Sequence, residues 1–72
     1  MMLLSEKVNL VLKRIRTARN EKGYSQDYVG ERLGIGQRSY HRLENGKTLI
    51  KIETIFRLAI IFEVDATYFL DI

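Results

Sequence analysis

The 72-residue sequence contains no cysteine, no proline, no tryptophan and a single histidine. Without cysteine the chain forms no disulfide and offers no thiolate to a metal ion, which is typical of a reducing compartment. One histidine is too few for an imidazole-based metal site, so we expect neither a metal nor a cofactor. The shortage of nucleophiles and bases in so short a chain also argues against an enzyme.

Long hydrophobic runs and linkers are missing as well. No stretch is long enough to span a membrane, and the opening MMLL is followed at once by Ser5, Glu6 and Lys7, unlike a signal peptide. No repeat or low-complexity segment separates two parts of the chain. We therefore expect a single cytoplasmic domain over residues 1–72. A core of this size contributes only about 3–5 kcal/mol, so self-association is the expected further support.

The charge is distributed unevenly along the chain. The net charge is +3, and residues 36–51 carry four basic side chains against Glu44 alone. Residues 52–72 carry Arg57 against four acidic side chains. This asymmetry suggests a polyanion as the partner of the basic side, although an ordinary solvated surface explains the charge about equally well.

The hydrophobic spacing predicts an all-α protein of five helices without strands. The first helix is expected to begin after Ser5 as its N-cap and to run to about Lys22, where Gly23 ends it. The fourth is expected at about 52–62, and the last at 66–70 with Asp65 as its N-cap and Phe69 closing the core. The expected core positions of the first and fourth helices are Val8, Val11, Leu12, Ile15, Ala18, Ile55, Leu58, Ala59 and Phe62.

The second and third helices occupy the segment from Ser25 to Gly46. Ser25 is a good N-cap for a helix that begins at Gln26 and ends at Gly34, with Val29 and Leu33 facing inward. A further helix is expected from Gln37 to Glu44, with Tyr40 and Leu43 facing inward and Asn45-Gly46 ending it. Two short helices joined by a glycine turn predict a helix-turn-helix.

Gly30 stands inside the second helix, where glycine costs about 1 kcal/mol relative to alanine. We interpret it as the point where the third helix crosses too closely for a side chain. A glycine that is merely tolerated, or that kinks the helix, is the alternative interpretation.

This segment resembles the helix-turn-helix of Cro-like phage repressors and XRE-like transcriptional regulators. The matching features are Gln26 and Gln37 at the starts of the two helices, the small residue Gly30, Gly34 in the turn, and the LENGK run that ends at Lys47. The resemblance extends from about Lys13 to Asp71. It implies a compact five-helix fold of the lambda-repressor type and binding to double-stranded DNA.

Two positions depart from the family pattern. Gly36 stands where the family usually has a serine or threonine N-cap, which should cost only a few tenths of a kcal/mol. Tyr40 replaces a β-branched aliphatic residue. Its ring must pack in the core or its hydroxyl must reach the edge, and the residue pattern leaves both arrangements open.

The outward face of the third helix is the expected DNA-reading surface. In a helix-turn-helix the first turn of this helix enters the major groove, where glutamine pairs with adenine and arginine with guanine. The resemblance implies base contacts from Gln37, Arg38 and Arg42. His41 lies on the same face, and a solvated surface side chain is the simpler interpretation for it.

The resemblance assigns further roles around this helix. Gln26, Ser39, Asn45 and Lys47 match positions that hold phosphates, and Gln26 is also expected to support Gln37. Glu44, an acid close to DNA, is expected to form a structural ion pair with Arg19 of the first helix.

Several apolar residues are not needed by the predicted monomer core, and we expect them to form a homodimer interface. One or two of them, above all Ile61, have burial in the monomer as the simpler explanation. The residues expected at this interface are Leu49, Ile50, Ile60, Ile61 and Ile72.

The predicted function is sequence-specific recognition of a palindromic operator by a homodimeric transcriptional regulator, a repressor or autoregulator, with no small-molecule ligand. An antitoxin or a restriction–modification controller would use the same DNA-binding mechanism, and the segments VNLVLKRIR and VDATYFLDI resemble the controllers. A protein-interaction module without DNA binding is the third alternative, since fold does not dictate function.

Overall fold

The computed structural model describes residues 2–72, whose backbone forms five α-helices and no strand. This confirms the all-α fold with a helix-turn-helix at the second and third helices. No helix within these residues is both long and apolar enough to cross a membrane. The helices are α1 (Leu4–Lys22), α2 (Gln26–Leu33), α3 (Gly36–Glu44), α4 (Ile52–Phe62) and α5 (Thr67–Leu70).

The first helix begins earlier than predicted. Leu3 is its N-cap, and the backbone N–H of Leu3 donates to Glu6 Oε1 at 2.9 Å. This contact ties the chain before the helix to its first turn. Ser5 lies inside that turn, so the prediction of Ser5 as N-cap was wrong. Val8 was also misplaced, because it is 40% exposed and lies outside the core.

The buried side chains form one cluster to which all five helices contribute. Apart from Val8, every predicted core residue belongs to it. The end of the chain is tied to α1 by Arg14, whose Nη1 donates to the carbonyl oxygen of Asp71 at 2.7 Å. The buried apolar residues are Val11, Leu12, Ile15, Ala18, Val29, Leu33, Tyr40, Leu43, Ile55, Leu58, Ala59, Phe62 and Phe69.

The turn between α2 and α3 follows from its residues. Ser25 Oγ accepts the N–H of Tyr28 at 3.0 Å and caps α2 as predicted. Gly34 ends α2 with φ +77°, and Gly36 opens α3 with φ +82°. The N-cap of α3 is Ile35, so Gly36 is the first residue of the helix and not its N-cap as expected. A serine or threonine would adopt the positive φ of Gly36 only with strain.

The end of α4 is marked by a positive backbone φ, and the start of α5 by a side-chain hydrogen bond. Glu63 ends α4 with φ +57°, the one positive φ of a non-glycine residue within residues 2–72. Asp65 Oδ1 then accepts the backbone N–H of Thr67 at 2.9 Å, which holds the pKa of the Asp65 carboxyl below its usual range. α5 begins at Thr67, one residue later than expected, and its N-cap is Ala66, so the prediction of Asp65 as N-cap was wrong.

Candidate nucleic-acid interface

The third helix is attached to the protein by one face only. Tyr40, Leu43 and Glu44 are buried, whereas Gln37, Arg38 and Arg42 are exposed. Within residues 2–72 the side chains of these three exposed residues form no hydrogen bond or ion pair with the protein. The outward face of α3 thus presents free amide and guanidinium donors.

The Glu44 carboxylate anchors α3 to α1. Arg19 Nε donates to Glu44 Oε2 at 3.0 Å, and Arg19 Nη2 donates to Oε1 at 2.9 Å. Arg16 Nη1 donates to the backbone oxygen of Glu44 at 3.1 Å. The Glu44 side chain is fully buried and that of Arg19 is 14% exposed. The structure therefore places the expected pair together, in the two-pronged geometry that makes Arg–carboxylate bonds strong and directional.

Burial and hydrogen bonding act on Glu44 in opposite directions. Burial alone raises the pKa of its carboxyl, but hydrogen bonds from Arg19 and Gln26, with the Tyr40 hydroxyl nearby, hold the pKa below its ordinary value. The same pairing raises the pKa of Arg19. Both groups are therefore charged at neutral pH, and each compensates for the buried charge of the other.

Tyr40 packs its ring in the core and is fully buried, which decides between the two arrangements that the residue pattern left open. Its hydroxyl is the one buried side-chain polar atom in residues 2–72 that has no hydrogen-bond partner. Burial, followed by the negative charge of Glu44, raises the pKa of this phenol. Tyr40 therefore stays neutral, and its buried ring helps to hold α3 against α2.

The Gln26 side chain forms hydrogen bonds with two residues of α3. Its Nε2 donates to Glu44 Oε1 at 3.2 Å, and its Oε1 lies 2.9 Å from His41 Nδ1. No hydrogen bond in residues 2–72 joins it to Gln37, and the expected support of Gln37 stays a prediction. A buried carboxylate is a stronger acceptor than a neutral amide, and it draws Gln26 toward the end of α3.

His41 was treated as a solvated side chain, yet it is held on both sides. Besides Gln26, it contacts Asn45, whose Nδ2 lies 2.9 Å from His41 Nε2. The spacing of four residues between His41 and Asn45 was the signal in the sequence, because such residues are neighbours on a helix. The side chains of His41 and Asn45 are both exposed to solvent.

The remaining expected phosphate contacts lie on or just after α3. Ser39 and Lys47 are exposed. The backbone N–H of Lys47 donates to the carbonyl oxygen of Arg42 at 2.9 Å, in a turn that Gly46 makes with φ +74°. Lys47 is thereby held close to the C-terminal end of α3.

The five residues expected at a dimer interface separate into two groups. Leu49 and Ile60 are 96% and 76% exposed, and Ile72 is 44% exposed. Ile50 and Ile61 are half-buried and pack against the monomer core. The expectation that all five are free of the monomer core was therefore wrong for Ile50 and Ile61.

The exposed apolar surface includes a stripe on α4 that the sequence analysis did not identify. Ile52, Phe56 and Ile60 are 54%, 50% and 76% exposed. They follow one another every four residues, so they form one face of the helix. That spacing was visible in the sequence, but only the structure shows which side of α4 the core covers. We call Ile52, Phe56, Ile60 and the preceding Leu49 the α4 patch.

No cluster of acidic or histidine side chains in the part of the chain that the structure describes is arranged to hold a metal ion. The free guanidinium and amide groups of α3 match the acceptors on base edges and phosphates.

Comparisons with known proteins agree with this geometry. No solved structure matches the chain at a significant level. A Pyrococcus furiosus protein named "Putative HTH-type transcriptional regulatory protein" is 35% identical over 51 residues, which cover 71% of this chain and 16% of that protein. A family model described as helix-turn-helix matches residues 15–69. The chain therefore belongs to the XRE-like family of helix-turn-helix DNA-binding transcriptional regulators.

Proposed function

We propose that this protein is a transcriptional regulator that recognises a specific palindromic DNA operator as a homodimer and acts as a repressor or autoregulator. The observation that carries the proposal is the exposed face of α3, with Gln37, Arg38 and Arg42 free of protein partners. Residues 1–72 act as one DNA-binding domain in this proposal, and the function requires no catalysis and no small-molecule ligand.

Base recognition is assigned to the three free side chains. Gln37 lies in the first turn of α3 and is suited to the N6 and N7 atoms of adenine, and Arg38 is suited to the O6 and N7 atoms of guanine. Arg42 follows Arg38 by one turn on the same face. Each two-pronged contact of this type discriminates between bases by about 1–3 kcal/mol.

Phosphate contacts are assigned to the residues that border this face. Gln26 keeps one N–H beyond its bond to Glu44, and Ser39, Asn45 and Lys47 are exposed around α3. Such contacts set the register and strength of binding without reading sequence. The arrangement gives a rigid helix between phosphate anchors, because the Arg19–Glu44 pair fixes its inner side.

The homodimer is assigned to the α4 patch, with Ile72 as a further exposed apolar residue. α4 packs against α1 and α2, which leaves the α3 face available to DNA. The molecule measures 36 × 24 × 20 Å. Two copies joined side by side are thus of the right size to place their recognition helices about 34 Å apart, one turn of DNA. A twofold dimer explains why the operator is expected to be palindromic.

The biological setting follows from occupancy of DNA. Repression or autoregulation in the cytoplasm is the proposed outcome, since a dimer bound within a promoter would exclude other proteins from it. Antitoxins and restriction–modification controllers share this DNA-binding mechanism and remain alternatives for the setting.

Selection from a random duplex library tests the proposal. We expect enrichment of one inverted repeat by the protein, and loss of preference at one position of each half-site with the variant Arg38→Ala. Lys13→Ala serves as the charge control, because Lys13 is an exposed cation on α1 outside both the α3 face and the α4 patch. Absence of any enrichment, together with salt-independent binding to DNA, would contradict the proposal and favour a protein-interaction module.

A further inference from the structure

The single histidine of the chain lies within a continuous series of side-chain hydrogen bonds that reaches from the buried ion pair to the surface of α3. Arg19 donates to Glu44, Gln26 Nε2 donates to Glu44 Oε1, and Gln26 Oε1 meets His41 Nδ1. Asn45 Nδ2 meets the other ring nitrogen, Nε2. We call this series the polar chain. It includes Gln26 and Asn45, two of the proposed phosphate contacts.

The polar chain determines where the neutral imidazole carries its proton. The Glu44 carboxylate only accepts hydrogen bonds, so the NH₂ group of Gln26 must face Glu44 and its oxygen must face His41. His41 Nδ1 therefore carries the N–H, and Nε2 accepts from Asn45. In this form both ring nitrogens are satisfied inside the protein, and the ring has no N–H left for a ligand.

A second proton on the ring changes only the outer end of the polar chain. Nε2 becomes a donor and can no longer accept from Asn45, so the Asn45 amide must turn its oxygen to the ring or move away. In both cases an additional N–H is turned outward, next to a new positive charge. The Gln26 contact and the buried pair are unchanged, because Nδ1 is already a donor.

The surroundings of His41 favour that proton when a phosphate is present. Arg38 and Arg42 are cationic neighbours of His41 on α3, and a DNA phosphate brings the opposite charge to this face. The charge of Glu44 is compensated by Arg19. α3 carries Arg38, Arg42 and Glu44 and is followed by Lys47, and α2, which packs on it, carries Asp27, Glu31 and Arg32. Arg16 and Arg19 of α1 donate to Glu44.

From this geometry we propose that His41 binds a DNA phosphate as an imidazolium cation, so that DNA binding takes up one proton and tightens as the pH falls. This inference rests on the proposed DNA-binding function and adds a residue and a pH dependence to it. A phosphate is the acceptor that fits, because it is anionic and meets the outward N–H beside Asn45.

The test is the affinity for a mixed-sequence duplex at constant, low ionic strength between about pH 8 and pH 6, where histidine changes its charge. Mixed sequence is suitable because a phosphate contact does not depend on the bases. We expect the Kd of the wild type to fall as the pH is lowered, by at most about tenfold per pH unit, the limit for one linked proton.

Two variants of His41, one neutral and one permanently charged, test the pH dependence of DNA affinity. His41→Gln keeps a neutral polar side chain and should show a flat profile close to the wild-type affinity at pH 8. His41→Lys carries a permanent charge and should also be flat, with an affinity at least equal to that of the wild type at pH 6. His41 is exposed, so circular dichroism should show both variants folded.

Titration of the imidazole resonances by NMR gives a direct reading, because the chain has one histidine. We expect the ring to keep its second proton to a higher pH in the complex than in the free protein. Equal pH slopes for the wild type and His41→Gln, or an unchanged imidazole titration on adding DNA, would overturn the inference while DNA binding itself stands. Absence of DNA binding at every pH would overturn both.

Discussion

Gly30 of α2 lies against the backbone of Gly36 at the start of α3. A β-carbon on Gly30 would be 2.5 Å from the Gly36 carbonyl oxygen and 3.1 Å from the β-carbon of Tyr40. Backbone atoms cannot rotate away as the end of a long side chain can. The two helices therefore cross at a distance that only glycine permits, which confirms the interpretation of Gly30 as a close-crossing residue.

The variant Gly30→Ala should lower the free energy of unfolding. Alanine gains about 1 kcal/mol in helix propensity, but overpacking against backbone costs about 1–3 kcal/mol, with the upper part expected at this distance. Chemical denaturation measures the net loss, expected near 1–2 kcal/mol. The neighbouring variant Glu31→Ala, at an exposed position, should change stability by no more than about 0.5 kcal/mol. A free energy of unfolding for Gly30→Ala equal to that of the wild type would show that α3 shifts freely on α2.

The Arg19–Glu44 pair should be strongly coupled. Removing one partner leaves a buried charge without compensation, which costs about 3–5 kcal/mol, as much as the whole stability expected for a domain of this size, also about 3–5 kcal/mol. We therefore expect Arg19→Met and Glu44→Leu to be largely unfolded by circular dichroism, and the double variant Arg19→Met/Glu44→Leu to recover most of the fold. Additive effects in this double-mutant cycle would disprove the coupling.

Stability should decrease in acid because of the same pair. The folded-state pKa of Glu44 is below its ordinary value of 4.5. Its contribution is therefore complete above pH 4.5 and is lost as the pH falls through the folded-state pKa. Urea denaturation at a series of pH values should show this loss in the wild type and a shallower loss in the Arg19→Met/Glu44→Leu variant. Parallel profiles would mean that Glu44 does not contribute to acid sensitivity.

Base and phosphate contacts should be separable. Arg38→Ala should weaken binding to the selected operator by about 1–3 kcal/mol and affect mixed-sequence DNA much less. Lys47→Ala should weaken both about equally and reduce the slope of log K against log salt by about 0.9. Fluorescence anisotropy at several salt concentrations measures both effects. If both variants lose specific and non-specific binding in equal proportion, the assignment of contacts is wrong.

The α4 patch should control self-association. Ile60→Lys changes a side chain that is 76% exposed, so the monomer should stay folded while the dimer and operator affinity are lost. Ile61→Lys changes a residue packed against the core and should lower the melting temperature instead. Leu4→Lys, at a position 79% exposed on α1, is the control. Sedimentation equilibrium distinguishes these results, and a wild type that is monomeric at operator-binding concentrations would exclude this dimer.

The helices and most of the core could be predicted from the sequence because they depend on local properties. Leu33 and Gly34 show the principle: an apolar residue at helical spacing is buried, and the following glycine adopts the positive φ that ends a helix. The start of α1 could not be predicted, because its N-cap, Leu3, has no polar side chain to mark it, and the acceptor of the Leu3 N–H is Glu6, three residues further along.

The sequence by itself determined a five-helix protein with a helix-turn-helix, since periodicity, glycine positions and N-caps act over a few residues. Only the tertiary structure decided which surface each side chain meets. Ile60 and Ile61 are chemically identical neighbours, yet the rotation of α4 on the core exposes one and half-buries the other. Gln26 contacts Glu44 and His41 rather than Gln37, because the packing of α2 on α3 brings the buried carboxylate within its reach.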